Sequence, residues 1–170
     1  GGTAAYAGFN FEKNKAGNYN VVGKTRLNNP FFNHFYDKYK GIDERIVGKY
    51  DIAFICVDTP STEDTFCDCS ELEVALAEND AEVFVIKSTL LPLHLGRLRI
   101  AWDNKRIVCS PEYYGATQHC NNYNFNFTIL GGNKEDCKKV IQVLQNVYDA
   151  SHQFKITDAM TASLVKYMEN

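Results

Sequence analysis

Several features that would settle the class of a protein at once are absent from this sequence of 170 residues. No apolar run approaches the roughly 18 residues that suggest a membrane span, so no membrane partner is expected. The formal net charge of −3 provides no excess of basic residues for binding a nucleic acid. Hydrophobic residues at 45% and charged residues at 23% are values typical of a globular protein, and the length suits about one domain.

The cysteines do not follow a pattern that predicts a metal site or a disulfide framework. They are Cys56, Cys67, Cys69, Cys109, Cys120 and Cys137. Zinc sites favour two cysteines separated by about two to four residues, whereas only one residue separates Cys67 from Cys69 and no second pair is near. The sequence therefore predicts no metal. Because the N-terminus has no basic region followed by an apolar one, no signal peptide is predicted, and a reduced, cytoplasmic location is expected.

What the sequence does contain is an alternation of short β-branched runs with helical stretches. Strands are predicted at 20–23, 50–57, 82–87, 106–109 and 127–131. Helices are predicted at 70–79, 92–102, 134–148 and 159–170. Three of them have capping residues at the start: Ser70 (with Glu73 completing a capping box), Asn133 and Asp158. The pattern predicts an α/β fold, a doubly wound parallel sheet with helices on both faces.

Polar side chains follow three of the predicted strands. The loops at 58–62, 88–92 and 110–113 all carry hydroxyl groups or a carboxylate. In a doubly wound sheet, ligands bind outside the carboxyl ends of the strands, where such groups can contact a ribose, a phosphate or a nicotinamide amide. Any one loop alone is explained by helix capping or turn formation. Three of them at the same edge favour a binding site.

These loops belong to a longer series of ordered motifs. The motifs are Phe54-Ile55-Cys56-Val57-Asp58-Thr59-Pro60, Cys69-Ser70-Glu71-Leu72, Val85-Ile86-Lys87-Ser88-Thr89-Leu90-Leu91-Pro92, Ser110-Pro111-Glu112-Tyr113, Ile129-Leu130-Gly131-Gly132 and Thr161 to Asn170. In order and spacing, from about residue 50 to the end, the chain resembles the UDP-glucose/GDP-mannose dehydrogenase family of NAD-dependent nucleotide-sugar dehydrogenases. The resemblance implies a Rossmann-like sheet, NAD as cofactor and a nucleotide sugar as substrate.

The resemblance also implies roles for individual residues. The implied cofactor-binding residues are Gly1, Gly2, Val57, Thr59, Pro60, Ser88, Thr89 and Glu112. Among the implied catalytic residues, Thr89 would help to place a water and Glu112 would act as acid and base on a thioester intermediate. Lys166 and Asn170 would stabilise oxyanions, and their spacing puts them on one face of a helix. Without the resemblance, a lysine at position 166 would be expected to face solvent.

The chain departs from the family pattern at both ends. Gly1 or Gly2 would be the last glycine of a phosphate-binding loop, whose first strand would then lie upstream. None of the cysteines has the glycine-rich context of the family's nucleophile, which that family places in a second domain. We therefore expect a dinucleotide-binding domain at 1–157, and at 158–170 the start of a linking helix toward a second domain. A homo-oligomer is expected only in a longer chain.

Two questions stay open on the sequence alone. Lys24 and Arg26 follow the first predicted strand without the acid that usually binds the adenosine ribose, which favours either NADP in place of NAD or a decayed site. The altered motifs also leave the substrate undetermined. A non-enzymatic relative that uses the fold as a binding or assembly module is one rival. A hydroxy-acid dehydrogenase that uses Lys166 as its base is another.

Overall fold

The structure, a computed structural model, describes residues 11–13, 19–21, 49–63, 66–113, 126–146 and 148–169. The strands are β1 (Phe11–Lys13), β2 (Tyr19–Val21), β3 (Lys49–Ile55), β4 (Asp80–Ile86), β5 (Ile107–Cys109), β6 (Phe127–Gly131) and β7 (Gln153–Thr157). The helices are α1 (Ser70–Glu78), α2 (Pro92–Ala101), α3 (Lys134–Leu144) and α4 (Ala159–Glu169).

Five of the strands form one sheet in the order β3-β4-β5-β6-β7. The first three strands are parallel, β6 runs antiparallel to β5, and β7 is parallel to β6. The prediction of an α/β fold is confirmed, with a sheet that is mostly rather than wholly parallel. The reversal at β6 was not expected.

Helices cover both faces of this sheet, and β4 shows why. Its run of buried apolar residues sends Val83 and Val85 to one face and Phe84 and Ile86 to the other, because successive strand residues point to opposite sides. The first face packs on α3, in a cluster of Val83, Val85, Val108, Leu130, Cys137, Val140 and Leu144. The second packs on α1, α2 and α4, in a cluster that includes Leu72, Leu76, Phe84, Ile86, Leu95, Leu98 and Ala162. The two faces therefore have separate cores.

Three strands, β1, β2 and β7, differ from the prediction, and β1 was not predicted at all. The segment predicted at 20–23 is Tyr19–Val21, which pairs antiparallel with Phe11–Lys13 in a separate two-stranded sheet. The strand Gln153–Thr157 was not predicted, because exposed polar residues interrupt its apolar ones. The described helices are all too short or too polar to cross a lipid bilayer.

Two of the predicted helix caps are confirmed and one is wrong. The Asn133 side chain accepts a hydrogen bond from the Glu135 N–H at 2.9 Å, and Asp158 accepts one from the Thr161 N–H at 2.9 Å. Ser70, in contrast, is the first residue of α1. Its own N–H donates to the Asp68 carboxylate at 2.9 Å, so the predicted capping box does not form.

Candidate functional site

Two hydroxyl groups join the loops that follow β3 and β4. The Thr59 hydroxyl donates to the Thr89 carbonyl oxygen at 2.6 Å, and the Ser88 hydroxyl donates to the Val57 carbonyl oxygen at 2.6 Å. Ser88 is buried and Thr59 and Thr89 are half-buried. A hydroxyl whose hydrogen is already donated keeps lone pairs that accept. This edge can therefore accept hydrogen bonds from the N–H or O–H groups of a bound molecule.

An ion pair joins the loops that follow β4 and β5. The Lys87 ammonium lies 2.5 Å from a Glu112 carboxylate oxygen, and the two side chains are only 8% and 16% exposed. Lys87 also donates to the Ser110 hydroxyl at 3.4 Å. Removing one partner of such a pair would leave an uncompensated charge in a poorly hydrated place, which is strongly unfavourable. Glu112 is therefore held in position at the same edge of the sheet as Thr59 and Thr89.

The thiols near this edge are not activated. Burial raises the pKa of Cys56 to about 11 and that of Cys109 to about 12, and the nearby Lys87 ammonium only partly opposes these shifts. A thiol is nucleophilic as its thiolate, so both groups are inert near neutral pH.

Lys166 does not face solvent. It is 3% exposed and lies on the face of α4 that also buries Ala162 and Ser163. The Ser163 hydroxyl donates to the Leu90 carbonyl oxygen, which belongs to the loop after β4. The buried face of α4 therefore packs against the candidate site. This placement contradicts the expectation for an ordinary helix-surface lysine.

The other predicted site residues lie either in the loop after β3 or outside the described residues. Val57 is half-buried and Pro60 is exposed in the loop after β3. Gly1, Gly2 and Asn170 lie outside the described residues, as do Lys24 and Arg26. The structure thus brings together Thr59, Ser88, Thr89 and Glu112, with the helix of Lys166 packed beside them.

Sequence reasoning missed a small cavity next to Glu112. Its volume is about 30 Å³, and its lining residues are Lys87, Pro111, Glu112, Tyr113, Phe127, Thr128, Tyr148 and His152. The Thr128 hydroxyl lies 2.8 Å from His152 Nε2, and the His152 ring stacks on Tyr148 with centroids 3.9 Å apart. Burial lowers the pKa of His152, against a smaller opposing effect of Asp149. In the sequence, the one signal of this cavity is Thr128, a polar residue within the apolar run of β6.

The described residues do not meet the requirements of a metal site. Among them, no group of three or more His, Cys, Asp or Glu side chains is placed to hold a metal ion. Among the described residues, the candidate site therefore consists of hydroxyl groups and one largely buried ion pair.

Comparisons with known proteins identify the fold. The structure matches UDP-D-ManNAc dehydrogenase from Pyrococcus horikoshii over 70% of this chain and 31% of that one, with a TM-score of 0.54 and 24% identity. GDP-mannose dehydrogenase from Pseudomonas aeruginosa matches over 69% and 31%, with a TM-score of 0.54 and 21% identity. The fold is that of the nucleotide-sugar dehydrogenases. The resemblance seen in the sequence motifs is confirmed at this level.

Sequence comparison adds one relative of unassigned activity. The uncharacterized protein MJ1054 of Methanocaldococcus jannaschii is 30% identical over 152 residues, which cover 80% of this chain. The chain spans only 16% of that protein's length and about a third of the dehydrogenases. No protein-family model matches the chain.

Proposed function

We propose that this chain is the dinucleotide-binding domain of a nucleotide-sugar dehydrogenase of the UDP-glucose 6-dehydrogenase type. The observation that carries the proposal is the convergence of Thr59, Thr89 and Glu112 from three successive strand ends at one edge. The hydrogen bond between Thr59 and Thr89 and the ion pair of Glu112 with Lys87 fix that edge. Ligands of doubly wound sheets bind at this position.

NAD is the proposed cofactor, with NADP as the alternative. The nicotinamide amide carries N–H donors. The Thr59 and Ser88 hydroxyl groups donate their hydrogens to carbonyl oxygens, and their oxygen lone pairs would accept from such donors. Val57, Pro60 and Thr89 would contact the cofactor at the same edge of the sheet. Gly1 and Gly2 would approach the pyrophosphate, because a glycine lets the backbone come close to phosphate.

The proposed reaction oxidises a primary alcohol of the sugar to a carboxylate in two two-electron steps. Two molecules of the oxidised cofactor would each take up one hydride, and water would supply the second carboxylate oxygen. Lys166 and Asn170 would stabilise negative charge that develops on the sugar oxygen, and a buried ammonium is effective there because water does not screen it. Thr89 and Glu112 would place and activate the water for hydrolysis of the thioester. The nucleophilic thiol would come from a second domain beyond the linking helix at 158–170. We place this activity in the cytoplasm, in a homo-oligomer of the longer chain.

Calorimetric titration of the full-length protein with NAD⁺ and with NADP⁺ tests the proposal. We expect one of them to bind, and Thr59→Val to weaken binding by about two- to ten-fold through loss of one hydrogen-bonding group. Ser61→Ala is the matched control, because Ser61 lies exposed in the same loop. Absence of binding by both dinucleotides would refute the proposed function.

A turnover assay with UDP-glucose and other nucleotide sugars tests the role of Lys166. Loss of a group that stabilises an oxyanion lowers kcat by about 10²–10³, and we expect this for Lys166→Ala. Lys155→Ala is the control, because Lys155 is exposed on β7. Circular dichroism of both variants must match the parent protein, since Lys166 is buried. Equal turnover in the two variants would remove Lys166 from the catalytic set.

One observation favours a non-enzymatic binding or assembly module instead. The Glu112 carboxylate is already paired with Lys87, so the proposed acid and base is engaged in the structure. Under this second candidate the full-length protein would bind a dinucleotide or nucleotide sugar without producing NADH or NADPH. The absorbance of the reduced nicotinamide distinguishes the two candidates directly.

A further inference from the structure

Cys67 and Cys69 lie in the loop between β3 and α1, and backbone hydrogen bonds hold the described residues on either side of Cys67. Ser61 and Cys67 form an isolated antiparallel bridge, and the Thr62 N–H donates to the Phe66 carbonyl oxygen at 2.7 Å. On the other side of Cys67, the Asp68 N–H donates to the Pro60 carbonyl oxygen at 2.8 Å. The loop therefore presents its cysteines in a defined arrangement next to Thr59 and Pro60.

Both thiols line one cleft and are close along the chain. The cleft has a volume of about 470 Å³ and is lined by Thr62, Cys67, Asp68, Cys69, Ser70, Glu73, His94, Arg97, Leu98 and Ala101. The Cys69 side chain folds back, with its sulfur 3.7 Å from the Cys67 carbonyl oxygen. Both cysteines are half-buried, so a small molecule in the cleft can reach their sulfur atoms.

The other described cysteines do not share this arrangement. Cys109 and Cys137 are buried in the cores on opposite faces of the sheet. Burial raises the pKa of the Cys109 thiol to about 12 and that of Cys137 to about 11. Partial burial, followed by the charges of its neighbours, also raises the pKa of Cys69. Among the described cysteines, Cys67 and Cys69 are therefore the two that line this cleft.

We propose that Cys67 and Cys69 are a reversible dithiol–disulfide pair that exchanges with low-molecular-mass disulfides. The thiolate of one of the two cysteines attacks one sulfur of the small disulfide, which forms a mixed disulfide and releases one small thiol. The other cysteine, after losing its proton, attacks the sulfur of the first, which forms the Cys67–Cys69 bond and releases the second small thiol. The protein loses two electrons and two protons, and the small disulfide gains both. A ring closed across one residue restricts the unfolded chain little, so the bond is readily reduced again.

The pair is connected to the helix that carries Lys166. The Cys67 sulfur lies 3.8 Å from the hydroxyl oxygen of Tyr167, within hydrogen-bonding distance for sulfur. Burial, and then the contact with Cys67, raises the pKa of Tyr167 to about 12. A disulfide sulfur has no hydrogen to donate and is a weaker acceptor than a thiolate. Disulfide formation is therefore expected to weaken the contact between Cys67 and α4 that the reduced state makes.

The proposal is tested by equilibrating the full chain in buffers of reduced and oxidised glutathione. Each sample is then quenched with acid and alkylated, and its peptides are analysed by mass spectrometry. We expect the peptide with both cysteines to lose two hydrogen atoms as oxidised glutathione increases, and to regain them on reduction. Cys67→Ser and Cys69→Ser should stop at the mixed disulfide. Cys137→Ser, the buried control, should behave as the parent. If the parent peptide carries only free thiols or mixed disulfides at every glutathione ratio, the proposal is wrong.

The contact with α4 is tested by Tyr167→Phe. Loss of one hydrogen bond that favours the reduced state should shift the equilibrium toward the disulfide by about two- to ten-fold. Tyr148→Phe is the control, because Tyr148 stacks on His152 in the cavity next to Glu112. An unchanged equilibrium in Tyr167→Phe would overturn the connection to α4. Neither measurement requires cofactor binding. A failure of the dithiol–disulfide proposal can therefore be distinguished from a failure of the proposed function.

Discussion

Replacing Gly131 by alanine tests how closely β6 approaches the start of α4. A Cβ atom added at Gly131 would lie 2.5 Å from the Ala162 Cβ, 2.5 Å from the Asp158 carbonyl oxygen and 2.7 Å from the Ala159 Cα. These distances are well below van der Waals contact. The atoms belong to the backbone or to an alanine, so no change of rotamer can relieve the overlap. The strand and the helix must separate.

The cost can be estimated from this geometry. Overpacking of a well-packed core costs about 1–3 kcal/mol, and a clash with backbone belongs at the upper end of that range. The loss of unfolded-state entropy from Gly to Ala offsets about 0.4–1 kcal/mol. A net loss of about 2 kcal/mol lowers the Tm of a domain of this size by roughly 4–8 °C. Because α4 carries Lys166, its displacement should also impair the candidate site.

Gly96→Ala is the matched control for the same assay. Gly96 lies in α2, and its added Cβ would meet only the Met160 Cε at 3.7 Å and Sδ at 3.8 Å, which is ordinary contact. Alanine is favoured over glycine inside a helix by about 0.8–1 kcal/mol, so this variant should be more stable than the parent. Urea and thermal unfolding followed by circular dichroism measure both variants. Equal stability of Gly131→Ala and the parent would refute the close approach of β6 to α4.

Two further predictions concern helix capping and acid sensitivity. Asn133→Ala should lower the free energy of unfolding by about 1 kcal/mol, because it removes the cap of α3, whereas Asn133→Asp should retain the cap. The midpoints of urea unfolding of the two variants measure the difference. Hydrogen bonds from Lys139 and Arg106 hold the pKa of the Glu82 carboxyl below its usual range, and local hydrogen bonds do the same for Asp158. As the pH falls, these carboxylates are protonated in the unfolded chain before they are protonated in the folded protein. Their contribution to the free energy of unfolding is therefore constant above about pH 5 and is lost as the pH falls through their lowered pKa values in the folded state. A urea midpoint that does not fall in acid would contradict this.

The sequence predicts the parts of the fold that depend on local patterns. The continuous apolar run of β4 and the proline at the start of α2 are visible without a structure, and both elements are where expected. The pairing of Lys87 with Glu112 joins residues from different strand ends and leaves no local signal. The burial of Lys166 is equally invisible, because a lysine gives the same helix propensity on either face. Long-range contacts of this kind decide the candidate site.

The reversed direction of β6 explains how α4, the helix that carries Lys166, comes to run toward the strand-end loops. After a parallel strand, the next helix starts at the carboxyl edge and runs away from it, as α2 does after β4. Because β6 and β7 run opposite to β5, the helix after β7 starts away from that edge and returns to it. The contacts agree, since Met160 lies beside Gly96 in the middle of α2, whereas Ser163 reaches Leu90, ahead of the start of α2. In a wholly parallel sheet the helix after β7 would run away from that edge, so the reversal is what directs α4 toward the loops that follow β3, β4 and β5.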